Sequence, residues 1–69
     1  MQLINTTTRQ PINTGAIVQD FRGTRWVLEG GRPPHKPSST GFVWVRSVDG
    51  RGPSREFYPS VIGAQWVNE

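Results

Sequence analysis

The segment from Gly30 to Gly41 places the strongest limit on what this chain can fold into. Its three prolines, Pro33, Pro34 and Pro37, each fix φ and remove an amide donor. Neither a helix nor a strand of a sheet can therefore continue through the segment. A loop of this length in a chain of 69 residues is by base rates either functional or disordered. We therefore treat it as a candidate site held by the rest of the chain.

Short β-type runs precede this loop. Residues 16–21 and 24–29 are apolar runs around a tight, Gly-containing turn, which is typical of a hairpin. Alternation within the second run places Trp26 and Leu28 on one face. The glycine pair at residues 30–31 is predicted to end this strand and begin the loop.

A second hairpin and a closing strand follow the loop. Residues 42–48 form the strongest strand candidate, because nearly all of them are β-branched or aromatic. Residues 49–52 contain two glycines and predict a turn, after which residues 55–58 return antiparallel. Residues 59–63 begin with Pro and end with Gly, which suits one turn of 3₁₀ helix. Residues 64–68 predict the last strand.

The chain is predicted to consist of a partly ordered N-terminal arm, residues 1–14, and one domain, residues 15–69. The arm is polar and rich in Thr. It is either a frayed terminus or an extra edge strand that lays Leu3, Ile4 and Ile12 on the domain.

The predicted fold is all-β, because no window shows sustained helical periodicity. Five short strands of this kind cannot form a stable flat sheet, and closing the sheet on itself removes its exposed edges. We therefore expect a five-stranded antiparallel barrel with the Pro-rich loop between strands 2 and 3. The order of elements over residues 15–68 resembles the SH3-like barrels, and residues 57–67 look like their ending of strand, Pro-Ser 3₁₀ turn and last strand.

The resemblance is to one branch of those barrels. The long acidic loop that signalling SH3 domains use to bind proline-rich peptides is here only residues 20–24. The short first hairpin is more similar to the KOW, Tudor and ribosomal-protein branches, many of which bind nucleic acid. In size and character the chain also resembles the small accessory proteins of tailed bacteriophages. That resemblance implies a protein of the host cytoplasm.

Composition weighs against several function classes. There is no cysteine and a single histidine, His35, so structural zinc is not expected. The five acidic residues are scattered, and no carboxylate lies near the only histidine, so we expect no enzyme activity and no cofactor. No signal peptide and no membrane-spanning run of apolar residues is present, so the cytoplasm is the expected location. The formal charge of +3 suits an anionic partner, although it is also common in soluble proteins.

The central strand carries the most informative pattern. Alternation places Phe42, Trp44 and Arg46 on the face opposite Val43 and Val45. If the valines point into the small core, the aromatic and Arg side chains point outward and form a platform on which unpaired bases can stack. The alternative is that the two aromatic residues face the core or lie under the folded Pro-rich loop.

Cationic residues near this stripe complete the predicted site. Arg32, His35 and Lys36 lie on the loop, while Arg22 and Arg25 flank the first turn. Three functions remain open. The first is nucleic-acid binding through the loop and the stripe, and the second is a phage-encoded effector that docks on a host protein through the same loop. The third is an oligomeric or virion-associated structural protein. The pattern at residues 34–37 also satisfies the minimal PxxP motif, so the chain could be the ligand of another domain.

Overall fold

A computed structural model describes residues 1–36 and 38–68. The regular structure is β, apart from one 3₁₀ turn. The elements are β1 (Gln2–Asn5), β2 (Ile17–Gln19), β3 (Arg25–Arg32), β4 (Phe42–Ser47), β5 (Arg55–Phe57), the 3₁₀ turn (Pro59–Ile62) and β6 (Ala64–Val67). Among the described residues, no helix is long and apolar enough to cross a membrane.

The strands form two antiparallel sheets. One has the order β2-β3-β4-β5, and the other pairs β1 with β6. The all-β prediction is confirmed. Within residues 1–36 and 38–68, however, there are six strands rather than five, and they do not close into one barrel. Pro37, which is the third proline of the loop and the end of the PxxP pattern, and Glu69, the last residue of the predicted domain, lie outside the described residues.

Both predicted hairpins are present. β2 pairs with β3 and β4 with β5, because turn-forming residues separate runs of high β propensity. The predicted 3₁₀ turn is also present. It begins at Pro59 and ends before Gly63, whose φ of 65° is left-handed and whose N–H bonds the Pro59 and Ser60 carbonyls.

The prediction that strand β3 ends at the glycine pair is wrong. β3 continues through Gly30 and Gly31 to Arg32, with an irregularity in register between Leu28 and Gly30. The reason is close packing: a Cβ on Gly31 would lie 2.7 Å from the Phe42 carbonyl oxygen. Glycine therefore allows β4 to approach β3 here, and the first proline of the loop follows the end of the strand.

The N-terminal segment is the extra strand rather than a frayed end. Leu3 and Ile4 of β1 are buried, and Leu3 is directly opposite Trp66 of β6. The backbone N–H of Ile12 donates to the Leu3 carbonyl at 2.9 Å, so the chain also covers the other side of β1. The strand thus lies within the second sheet and contributes to the core.

The core lies between the inner face of the four-stranded sheet and the β1–β6 pair. Val43 and Val45 are fully buried, at 0% exposure, and confirm the inward orientation predicted for the central strand. The cluster consists of Leu3, Val18, Leu28, Val43, Val45, Ile62 and Ala64, with Ile12, Trp26, Phe57 and Trp66 packed around it. The opposite face of the four-stranded sheet is therefore turned away from the core.

Candidate functional site

The outer face of the four-stranded sheet carries the aromatic stripe. Since Val43 and Val45 point into the core, strand alternation turns Phe42, Trp44 and Arg46 to the other side. All three are partly exposed, and Phe42 and Trp44 lie outside the core cluster. The alternative in which these aromatic residues face the core is therefore excluded.

Trp44 occupies a defined position on this face. It is directly opposite Gly30, and a Cβ on that glycine would lie 3.6 Å from Trp44 Cε3, so the indole lies against the bare backbone of β3. Phe42 meets it edge-on, with ring centroids 5.1 Å apart and an interplanar angle of 78°. The indole is thus oriented by its neighbours while part of its surface stays open to solvent.

Two further residues extend the stripe at its Phe42 end. Arg32 is directly opposite Phe42 and is exposed, so a guanidinium group lies beside the aromatic pair. Continuing the β4–β5 register by one position would place Tyr58 on the other side of Phe42, and Tyr58 is 69% exposed. Sequence reasoning missed Tyr58. The inward position of Phe57 and the alternation that follows from it are the signal that could have found it.

Arg46 is held by a small polar network. Its Nε donates to Glu29 Oε2 at 2.8 Å, and its Nη1 donates to the Gly52 carbonyl at 3.1 Å. Ser54 Oγ accepts from Arg46 Nη2 at 3.3 Å and donates to the other Glu29 oxygen. The Ser54 hydroxyl and then Arg46 hold the pKa of Glu29 below its usual range. Arg46 is therefore fixed and partly neutralised, although its side chain is still 40% exposed.

The remaining predicted cations are divided between two ends of the sheet. Arg25 begins β3 and Arg32 ends it, so the two lie roughly 20 Å apart at the usual rise per residue. Arg22 stays with Arg25 at the first turn, where its Cζ lies 5.4 Å from the Phe21 ring centroid. The structure therefore groups Arg22 with Arg25 but does not bring them to the Pro-rich loop.

The Pro-rich loop is anchored at its base. A Cβ on Gly41 would lie 2.5 Å from the Arg32 carbonyl oxygen and 2.9 Å from Trp66 Cδ1, so both ends of the loop pack tightly beside the Trp66 indole. Further out, His35 and Lys36 are exposed, and the Lys36 carbonyl accepts a bond from the Ser39 N–H at 3.0 Å. Lys36 and the imidazole of His35 thus extend from a fixed base that begins next to Arg32.

A second aromatic group lies at the inner face. Trp26 and Phe57 meet edge-on with centroids 5.3 Å apart, and Arg55 Cζ lies 5.8 Å from the Trp26 ring. The Trp26 Nε1 donates to Asp20 Oδ2 at 3.1 Å. This bond, supported by the backbone N–H groups of Thr24 and Arg22, lowers the pKa of Asp20. These bonds to Asp20 stabilise the first turn.

Among residues 1–36 and 38–68, no cluster of three His, Cys, Asp or Glu side chains could hold a metal ion. Comparisons of the chain with protein-family models, with curated proteins and with solved structures found no match.

Proposed function

We propose that this protein binds single-stranded or otherwise unpaired nucleic acid on the outer face of its four-stranded sheet. The proposal rests on the arrangement of three side chains. Trp44 lies against Gly30, Phe42 meets it edge-on, and Arg32 is opposite Phe42. Every base has a π-face, so a partly open indole beside a second aromatic ring, with an Arg side chain opposite that ring, is a stacking site that tolerates different base sequences.

Phosphate contacts complete this proposal. Arg32 is exposed at one end of the stripe, Arg46 is partly exposed at the other, and Lys36 and His35 extend from the adjacent loop. A backbone that runs along the stripe can meet three or four of these side chains. The formal charge of +3 favours approach of a polyanion.

We further propose that the fold is a variant of the SH3-like barrels in which the strands stay in two sheets and β1 adds a strand. The order of two hairpins, a 3₁₀ turn and a closing strand between Ile17 and Val67 supports this. The position of the long loop supports it too, because the loop lies between β3 and β4, which are the second and third strands counted from Ile17.

Fluorescence anisotropy with labelled single-stranded oligonucleotides tests the binding proposal. Three to four neutralised phosphates predict a log–log salt slope of roughly −2 to −3. Binding at micromolar or lower concentration that weakens with this slope supports the proposal. Absence of binding at low salt with both DNA and RNA oligonucleotides refutes it.

Two substitutions place the interaction on the proposed face. Trp44→Ala should weaken binding about 5- to 150-fold, the equivalent of one stacked base. Arg32→Ala should weaken it and reduce the size of the salt slope by about 0.7. Phe21→Ala is the matched control, since it removes an exposed aromatic ring at the opposite end of the sheet. An equal loss from Phe21→Ala and Trp44→Ala would contradict the assignment.

The second candidate function is docking on a host protein through the Pro-rich loop. The anchored base at Gly41 and Trp66 supports it, because a pre-organised loop loses little conformational entropy on docking. Salt dependence separates the two functions. Nucleic-acid binding falls steeply with salt, whereas insertion of a proline loop into an apolar pocket does so only slightly.

A further inference from the structure

The two edges of the four-stranded sheet differ in how they are protected. The β5 edge carries Arg55 and Glu56 and is flanked by Pro53 and Pro59, all of which discourage pairing with another strand. The β2 edge has the sequence Ile-Val-Gln with no charge, and Ile17 is 54% exposed. The β2 edge therefore lacks the usual features that prevent strand addition.

The backbone of β2 has hydrogen-bonding groups turned toward this edge. The Leu28 N–H donates to the Ala16 carbonyl at 2.9 Å, and the Asp20 N–H also bonds across the same hairpin. In an antiparallel ladder every second residue of a strand bonds the partner strand, and the residues between point their N–H and C=O groups the other way. The N–H and C=O groups of Ile17 and Gln19 therefore point away from β3 and are available to an added strand.

A groove runs beside the open edge. It has a volume of about 880 Å³ and lies between β2, the segment at residues 5–12 and the 3₁₀ turn. This volume is within the range of about 300–1,000 Å³ that is usual for ligand sites. Ile17, Phe21 and Val61 supply apolar surface to its walls.

The charge around the groove is positive. Arg25 lines it, and Arg22 lies over the ring of Phe21, which is also part of the lining. Asp20 is the acidic residue of the lining, and its carboxylate already accepts bonds from the Trp26 indole and from two backbone N–H groups. Asp20 also lies close enough to Arg22 for the guanidinium charge to lower its pKa. Two arginines against one aspartate leave this end of the groove with an excess of positive charge, which favours an incoming carboxylate.

We propose that the β2 edge binds an extended acidic segment of a partner protein by β-strand addition. The added strand bonds the outward backbone groups of Ile17 and Gln19. Ile17 and Gln19 share the outer face, and Gln19 is directly opposite Arg25. One side chain of the added strand therefore packs on Ile17, and the side chain two residues away carries a carboxylate to Arg25. This surface is distinct from the stripe around Trp44.

The test uses a capped peptide, Glu-Thr-Val-Thr-Glu, titrated into ¹⁵N-labelled protein. Its central Val faces Ile17 and one of its Glu residues faces Gln19 in either strand direction. Shifts and slowed exchange of the Ile17 and Gln19 amides support strand addition. Val donates to the Ile17 carbonyl in antiparallel addition, and the second Thr donates to it in parallel addition. One of two modified peptides, N-methylated at Val or at the second Thr, should therefore bind about 2- to 10-fold more weakly than the unmodified peptide. Equal binding of all three peptides, or shifts confined to other strands, overturns the proposal.

Variants of the protein give an independent readout. Both Gln19→Pro and Gln19→Ala remove the side-chain bond from Gln19 to the Gly23 carbonyl. Only Gln19→Pro also removes the outward backbone N–H. The Pro variant should bind the peptide about 2- to 10-fold more weakly than the Ala variant. Arg25→Glu should reverse the preference toward the capped peptide Lys-Thr-Val-Thr-Lys. Equal affinity of the Pro and Ala variants, or an unchanged peptide preference in Arg25→Glu, argues against the edge site.

Discussion

Replacing Gly41 by Ala should unfold much of the protein population. Gly41 has a φ of 70°, a left-handed conformation that costs a residue with a Cβ about 1–2 kcal/mol. The added Cβ would also lie 2.5 Å from the Arg32 carbonyl oxygen and 2.9 Å from the Pro34 nitrogen. Both are backbone atoms, so the overlap cannot be relieved by turning a side chain, and overpacking of this kind costs about 1–3 kcal/mol.

The two costs together predict a loss of about 2–5 kcal/mol in the free energy of unfolding. A domain of this size has a total stability of only a few kcal/mol. Two glycines separate the contributions. Gly50 has a φ of 75° but no atom within 4 Å of an added Cβ, so Gly50→Ala measures the conformational cost alone. Gly31→Ala measures the overlap alone, since an added Cβ would meet the Phe42 carbonyl oxygen at 2.7 Å.

Urea unfolding followed by tryptophan fluorescence is the assay. With an m-value of about 1 kcal/mol/M, Gly50→Ala should lower the midpoint by about 1–2 M and Gly31→Ala by about 1–3 M. Gly41→Ala should lower it by more than either. Equal midpoints for the Gly41 and Gly50 variants would refute the reasoning. If Gly41→Ala yields no folded protein, the comparison of Gly31→Ala with wild type still tests the overlap.

Two further predictions concern the core and the first turn. Val43→Ala should cost about 2–3 kcal/mol of stability because Val43 is fully buried. Val48→Ala, at a residue that is 48% exposed, should change stability by less than about 0.5 kcal/mol, and similar urea midpoints for the two variants would contradict the predicted core. The Trp26 indole holds the pKa of Asp20 below its usual range, so this interaction stabilises the folded protein above about pH 4 and is lost as the pH falls through the folded-state pKa. The difference in urea midpoint between wild type and Asp20→Asn should therefore shrink from pH 6 to pH 2.5, and a constant difference would count against it.

Local signals in the sequence account for most of the secondary structure. The strand at Phe42–Ser47, its inward valines and the Pro59–Ile62 turn follow from β propensity, alternation and the positions of Pro and Gly. Each of these depends on residues close together in the chain. The outward position of Trp44 follows from the same alternation.

Contacts between distant segments could not be predicted in this way. The pairing of β1 with β6, which are far apart in the sequence, decides whether the first residues are a strand. The extension of β3 depends on the backbone of β4 approaching Gly31. The bond between Arg46 and Glu29 depends on the irregular register beside Gly30. In each case the deciding partner lies on another strand.

The pairing of β1 with β6 has a consequence for biosynthesis. Of the described strands, β1 leaves the ribosome first and β6 leaves last. β1 can therefore pair early only with the segment around Pro11 and Ile12, and it must wait for β6 to complete its sheet. Until then, Leu3 and Ile4 lack the cover of β6 on a nascent chain that already contains both hairpins. Completion of the second sheet therefore depends on a contact of large sequence separation and comes after the two hairpins have been synthesised. In the cell, chaperones that shield β1 during this interval would act before β6 arrives.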